Sequence, residues 1–401
     1  MLDHTPDRNA GPMVAAVCVA GPALVALIPM AAAPALVAMA IHFGTGADDA
    51  LFSQIVMTLP ALMLIVAAPL AGLLAGRIGQ RAVLLFSLTL YVIGGAGVLF
   101  IGSSTALVAL RLILGIGGGG VLTSCLGLIG DHFSGHKRER VLGWVTSASS
   151  LLAGLALIGG GRLVDFGGWQ APFSLYLLGI PTLAAAFTVI RNSPACPPTA
   201  PSGTPVPLLT TPVRDLARVW PYYALLVLLT LGMFTPAIQA GFLLSARGMG
   251  SAQTIGSVIA ATSFVAMVTA LAFGPLRERI GLHGFLALDA LSMGLGILVI
   301  ALASQTWQVF AGCCLVGIGA GMSEPATASI IFSRAPAYVH ALAMGVIVSA
   351  LNAGQFLNPL VFDALRQVTG LAGAFIVFAL ALIATAVFVA IRRRDDLLER
   401  T

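Results

Sequence analysis

The chain has 401 residues, of which 58% are hydrophobic and only 9% charged, with a net charge of +5. About a quarter of the residues of a soluble domain are charged, so an ordinary water-soluble globule is excluded. The basic residues sit in separate loops rather than in one stripe, which also argues against a nucleic-acid partner.

In chain order, twelve apolar spans fall near 13–38, 51–74, 82–102, 105–130, 141–163 and 171–191, then near 219–244, 252–275, 284–303, 307–332, 341–362 and 371–391. Each approaches or exceeds the roughly 20 residues that a helix needs to cross a bilayer. No segment alternates in polarity as a barrel strand must. The first span is far longer than the 7–15 residue core of a signal peptide, so it reads as a retained helix. The expected fold is an all-α polytopic membrane protein with twelve transmembrane helices.

Residues 192–218 hold six prolines before Thr211 and cannot form a spanning helix. They read as a linker between a first bundle, 1–191, and a second, 219–401. With both termini in the cytoplasm, sixteen Lys and Arg residues lie in inner segments. Only Arg162, Arg247 and Arg366 lie in outer loops. Such a bias sets orientation.

The two halves repeat each other at a shift of 202 residues. "GLLAGRIGQR" (72–81) matches "GPLRERIGLH" (274–283), with Gly72, Leu74, Arg77, Ile78 and Gly79 falling on Gly274, Leu276, Arg279, Ile280 and Gly281. "GIGGG" at 115–119 matches "GIGAG" at 317–321. Six helices separate the copies, so both run in the same direction. Parallel repeats about an axis along the membrane normal suit rocking about a site between the halves.

With these features the chain resembles the major facilitator superfamily of secondary transporters. The family's loop pattern, G-x-L-x-D-R-x-G-R-R, is met at Gly72, Leu74, Arg77, Gly79 and Arg81. Gly76 stands where the acid is expected, whereas the second copy keeps an acid, Glu278, beside Arg279 and Gly281. The resemblance implies that this acid helps to latch the halves, and hence that the latch is asymmetric here. Arg111, Gly115 and Gly117 resemble a family motif in the fourth helix. "GGRLVDFGGW" (160–169) is similar to the end of the fifth helix in exporting members, with Leu157 in place of their proline.

Charged groups within spans are functional suspects by default. Glu324 lies in the tenth span, followed by Pro325, which should kink the helix. The resemblance puts that helix beside a central cavity, where a carboxylate could load and release a proton. The bland alternative is an ion pair with a basic loop, for instance through Arg334. Arg111 could assist proton release or anchor an anionic substrate, or simply bond carbonyls and amides. Asp289 is expected to reach back to Arg277 or Arg279. Asp165 and Asp363, near Arg162 and Arg366, read as gate or interface pairs.

Uncharged polar candidates for the substrate cavity are Gln239, Asn352, Gln355, Asn358, Thr123 and Ser124, against the alternative of helix–helix hydrogen bonding. The cysteines Cys18, Cys125, Cys196, Cys313 and Cys314 show no paired spacing and read as small hydrophobes. No nucleotide loop, hydrolase elbow or metal-binding helix motif occurs, so neither an enzyme nor a cofactor is expected.

The leading reading is a monomeric, proton-coupled exporter of small hydrophobic or amphipathic compounds in a bacterial-type inner membrane. The alternatives are import of a small organic anion held by Arg111, or a non-transporting membrane sensor or assembly protein.

Overall fold

The computed structural model describes residues 12–44, 49–133, 135–190, 219–334 and 340–398. Side chains at 49, 135, 136, 139, 273–280, 332, 340–342 and 392–398 lie outside that description. The linker expected at 192–218 falls wholly outside it.

Among the described residues every regular element is helical. The first half holds α1 (Pro12–Phe43), α2 (Asp49–Ile78), α3 (Gln80–Phe100), α4 (Ser104–His132), α5 (Gly135–Gly167) and α6 (Ala171–Val189). The second holds α7 (Trp220–Ala246), α8 (Ala252–Ile280), α9 (Leu282–Leu302) and α10 (Thr306–Arg334). A last helical stretch, His340–Leu398, is 59 residues long and is broken at Gly370, whose φ of 73° is not helical. The break divides it into α11 (340–369) and α12 (371–398). Among the described residues eleven helical stretches are apolar and long enough to span, and the break at Gly370 divides the last of them, giving twelve helices.

Some ends differ from expectation because proline did not stop the chain. Pro34 opens a 3-10 turn, Ala33–Ala35, and α1 then continues to Phe43. A proline in a helix removes one donor, but neighbouring helices and local 3-10 geometry can satisfy the freed groups.

The 202-residue repeat governs packing as well as sequence. Gly115 of α4 lies so close to α2 that a Cβ there would meet the Pro60 carbonyl oxygen at 2.5 Å. In the second half, a Cβ on Gly317 of α10 would meet the Thr262 carbonyl oxygen of α8 at 2.7 Å. Each partner is offset by the same 202 residues. Small residues allow such close helix contact where lipid supplies no hydrophobic drive.

The paired loops repeat too. Gly79 and Gly281 cap α3 and α9 with φ of 89° and 72° and ψ of 151° and 158°, a backbone region essentially restricted to glycine. Gly79→Ala or Gly281→Ala should therefore cost about 1–3 kcal/mol, measured as a lower melting temperature in detergent. Gly72→Ala should not, since its Cβ would find only Thr123 Cγ2, at an ordinary 3.5 Å.

Candidate functional site

The two halves touch chiefly along two seams, α5 against α8 and α2 against the α11–α12 stretch, with smaller contacts from α1 to α7 and α8. At the end of the bundle remote from Pro12, the Asp165 carboxylate at the end of α5 accepts hydrogen bonds from the backbone N–H groups of Ala252 (3.1 Å) and Gln253 (3.0 Å). An acid from one half thus caps the first helical turn of the other, where unsatisfied N–H groups and the helix dipole favour negative charge. Asp363 instead pairs within its own helix, with Arg366 at 2.5 Å.

Further along, Gly161 faces Ala252, Gly256 faces Leu157, and the Phe264 ring packs on Gly154. Beyond that ring the seam parts. Leu151 and Met267 line a cleft of about 720 Å³ that reaches Pro12 and Phe133 at the end bearing the chain's first helical residue. The halves are therefore joined at one face, while toward the other, the N-terminal face, a cleft opens between α1 and α5 with Met267 of α8 at its edge.

At the joined face a set of buried amides crosses the other seam. Gln54 of α2 donates through Nε2 to Gln239 Oε1 at 2.9 Å, and Gln239 returns a longer bond of 3.4 Å. Gln239 Nε2 also donates to Asn358 Oδ1 of α11 at 2.9 Å. Asn358 Nδ2 in turn donates to the Leu231 carbonyl at 2.9 Å and to Thr235 Oγ1 at 3.1 Å. All three amides are buried.

Local backbone explains the position of Gln239. Residues Pro236–Ala240 form a single π-turn inside α7, a distortion that recurs at functional sites. Sequence reasoning selected Gln239 and Asn358 but missed Gln54. Its signal was weak, a lone uncharged amide near the start of an apolar run.

Glu324 lies on α10 with an exposed side chain. Gly317 and Gly321, seven and three residues before it, pack against α8. Ile331, seven residues after it, packs with Leu226 of α7. Helical spacing puts Glu324 on the side of α10 that lies between those two contacts.

Arg111 is placed differently. It is fully buried within the first half, its Cζ 4.4 Å from the Phe173 ring centroid and 5.5 Å from that of Tyr176. Nη1 donates to Tyr176 Oη at 3.3 Å, while Nε and Nη2 have no hydrogen-bond partner. Tyr176 and Tyr91 each donate to α1 carbonyls, those of Ile28 (2.8 Å) and Leu24 (2.7 Å). No part of the guanidinium reaches the cleft in this conformation.

Asp289, expected near Arg277 and Arg279, is fully buried on α9, with the Ser323 side chain of α10 beside its carboxyl. Both arginine side chains lie outside the described residues. Gly319 of α10 packs on the Asp289 carbonyl, at the place where Gly117 packs on Ser87 in the first half. The second half thus carries a carboxyl where the first has a hydroxyl.

Of the remaining candidates, Thr123 and Asn352 bond within their own halves. Thr123 donates to the Ala68 carbonyl at 3.1 Å, joining α4 to α2, and the Ser124 hydroxyl is buried without a partner. Asn352 bonds the Val348 carbonyl of its own helix at 2.8 Å, and Gln355 is buried. In the loop motif, Arg77 is exposed and Arg81 donates to the Phe187 carbonyl at 3.0 Å. The side chains of Glu278 and Arg279 fall outside the described set.

A family model, the Major Facilitator Superfamily, matches residues 18–250 and 223–400. The chain belongs to the Major Facilitator Superfamily. The class G tetracycline resistance protein of Vibrio anguillarum is 29% identical over 335 residues, covering 80% of this chain and 81% of that protein. The class B tetracycline resistance protein of Escherichia coli is 25% identical over 343 residues, with 82% of each chain covered. Among solved structures, the POT family transporter PepTSo superposes with a TM-score of 0.78 over 96% of this chain and 98% of its own, at 13% identity. The human organic anion transporter MFSD10 gives 0.67 over 94% and 99%, at 18% identity. Likeness at such identity speaks to fold. Membership makes the protein a multi-pass membrane transporter of a small-molecule substrate.

Proposed function

We propose that this major facilitator exports small hydrophobic or amphipathic compounds by alternating access, in exchange for protons, with its N-terminal face in the cytoplasm. The observation that carries the reading is Glu324, a carboxylate exposed on α10 between its contacts with α7 and α8. Proton coupling needs an acid that can be wetted in one state and enclosed in another, and an exposed carboxylate within an otherwise apolar helix meets that need. The joined face and the cleft toward the N-terminal face then correspond to a state open to the cytoplasm. The export direction draws support from the tetracycline resistance relatives, and tetracycline is the first compound to test.

Proteoliposomes with an imposed pH gradient should drive tetracycline or a lipophilic dye against its own gradient. Glu324→Gln should abolish the gradient-driven component while leaving the melting temperature unchanged, and Glu324→Asp should keep part of it. Undiminished pumping by Glu324→Gln would remove this residue from the coupling mechanism.

A further inference from the structure

The cleft of about 720 Å³ at the N-terminal face has a lining that neither the amides nor Glu324 accounts for. Its walls are mainly apolar: Phe133 at the end of α4, Trp144 and Leu151 of α5, Met267 of α8 and the first turns of α1. Its volume falls within the 300–1,000 Å³ of sites that hold a drug-sized ligand.

Two cations, Lys137 and Arg140, complete it. Lys137 is the sole lysine in the chain. Both side chains are exposed, and Arg140 lies with its Cζ 5.3 Å from the Trp144 ring centroid. That contact stations the guanidinium against the aromatic wall, leaving its N–H fork free to meet an oxyanion. None of the described lining residues is acidic.

We infer that this cleft binds an amphipathic anion: an aryl or acyl body against Phe133, Trp144 and Met267, and a carboxylate, sulfonate or phosphate between Lys137 and Arg140. The charge pattern selects this class. A lipophilic cation would be repelled by both cationic side chains, and a neutral compound would leave them unused. The location adds to the argument, because the cleft begins where the α5–α8 seam parts below Gly154 and Phe264. An amphiphile could enter there with its head toward water and its body toward the bilayer. The inference deepens the export reading by giving its substrate a charge, and it depends on that reading for the direction of loading.

The full-length protein in phosphatidylcholine nanodiscs, without any gradient, provides the test. Two probes share an aryl-amine body: 8-anilinonaphthalene-1-sulfonate carries an anion and N-phenyl-1-naphthylamine does not. The saturable sulfonate signal should weaken roughly tenfold in the Lys137→Gln, Arg140→Gln double variant, the scale of losing charge-assisted bonds. Binding of the neutral probe should be unchanged. The Lys137→Arg, Arg140→Lys pair should restore sulfonate binding, and Ala148→Phe, which fills the cleft, should reduce both probes.

Adding phosphatidylglycerol to the discs separates two sources of the same chemistry. Weaker sulfonate binding in the parent alone would identify an anionic lipid as the natural occupant, and no change would identify a free anion. Equal sulfonate binding by parent and double variant, or an equal loss for both probes, would overturn the proposal. Because no gradient is used, a failure of proton coupling would leave this result standing. Conversely, charge-blind binding beside intact proton-driven efflux would overturn the cleft alone.

Discussion

Gly256→Ala is expected to push the two halves apart at their joined face, shifting the conformational balance without unfolding either bundle. A Cβ on Gly256 of α8 would fall on the Leu157 carbonyl oxygen of α5. Opposite it, a Cβ on Gly161 would lie 2.5 Å from the Ala252 carbonyl oxygen and 2.8 Å from the Gln253 Cα. These obstacles are backbone atoms of another helix, so no rotamer change relieves the clash. Within a half, such an insertion would strain a packed core. Here the two sides of the clash belong to different halves, and the cheapest relief is rigid separation. Overpacking costs about 1–3 kcal/mol, which corresponds to a shift of roughly 5- to 150-fold in a two-state equilibrium.

A buried reporter such as Thr58→Cys on α2, in a background lacking the native cysteines, would read that shift. Labelling by a membrane-impermeant reagent applied from the joined face should rise in Gly256→Ala and in Gly161→Ala. It should stay at the parent rate in Gly159→Ala, because a Cβ there meets nothing within 4 Å. If labelling is unchanged and the melting temperature falls instead, the seam repacks locally and the wedge argument fails.

Much of this seam was legible in the sequence, but only as a list of glycines. Composition and span length specified an all-helical membrane protein, because burying a peptide group in lipid allows few other solutions. The 202-residue repeat specified two halves, because matched glycines impose matched helix contacts, as Gly115 and Gly317 do. The same shift joins Gly168 and Gly370, both with φ of 73°, and could have revealed the break that ends α11. Glu324 stood out because a charge in an apolar span is expensive wherever it points.

Other features were not legible, for a physical reason. Gln54 acquires significance only through Gln239 and Asn358, which lie 185 and 304 positions along the chain, and an amide carries no mark of its future partner. Asp289 is marked by charge but not by environment. Sequence proximity pointed to Arg277 and Arg279, whose side chains lie outside the described residues, and only the fold shows that Asp289 is fully buried on α9. Three of the site's polar groups, Gln239, Glu324 and Asn358, come from the second half and Gln54 from the first. The repeat therefore conveys the architecture while the chemistry is unequally divided.

Arg111→Met is expected to yield a protein at least as thermally stable as the parent, and Arg111→Ala one less stable by about 2–4 kcal/mol. The guanidinium is fully buried, with Nε and Nη2 unpartnered and one bond of 3.3 Å to Tyr176. Its contact with Phe173 at 4.4 Å recovers part of the desolvation cost, but no described carboxylate pairs with it. Replacing a buried charge by an apolar side chain of similar length is often neutral or stabilising. Methionine can pack against the Phe173 ring, which also favours a thioether. Alanine instead leaves a void beside Tyr176 and so loosens the tyrosine's bond to the Ile28 carbonyl of α1.

A charge that the resting fold would be no worse without has to be justified in another conformation, where α1, α4 and α6 shift enough to wet it or bring an anion or acid within reach. Transport by Arg111→Met should accordingly fall while its melting temperature holds. Melting temperatures of the three proteins in one detergent, set beside gradient-driven uptake into proteoliposomes, provide the comparison. A methionine variant that melts well below the parent would make Arg111 a structural element of the first half, and its role in coupling would lose its argument.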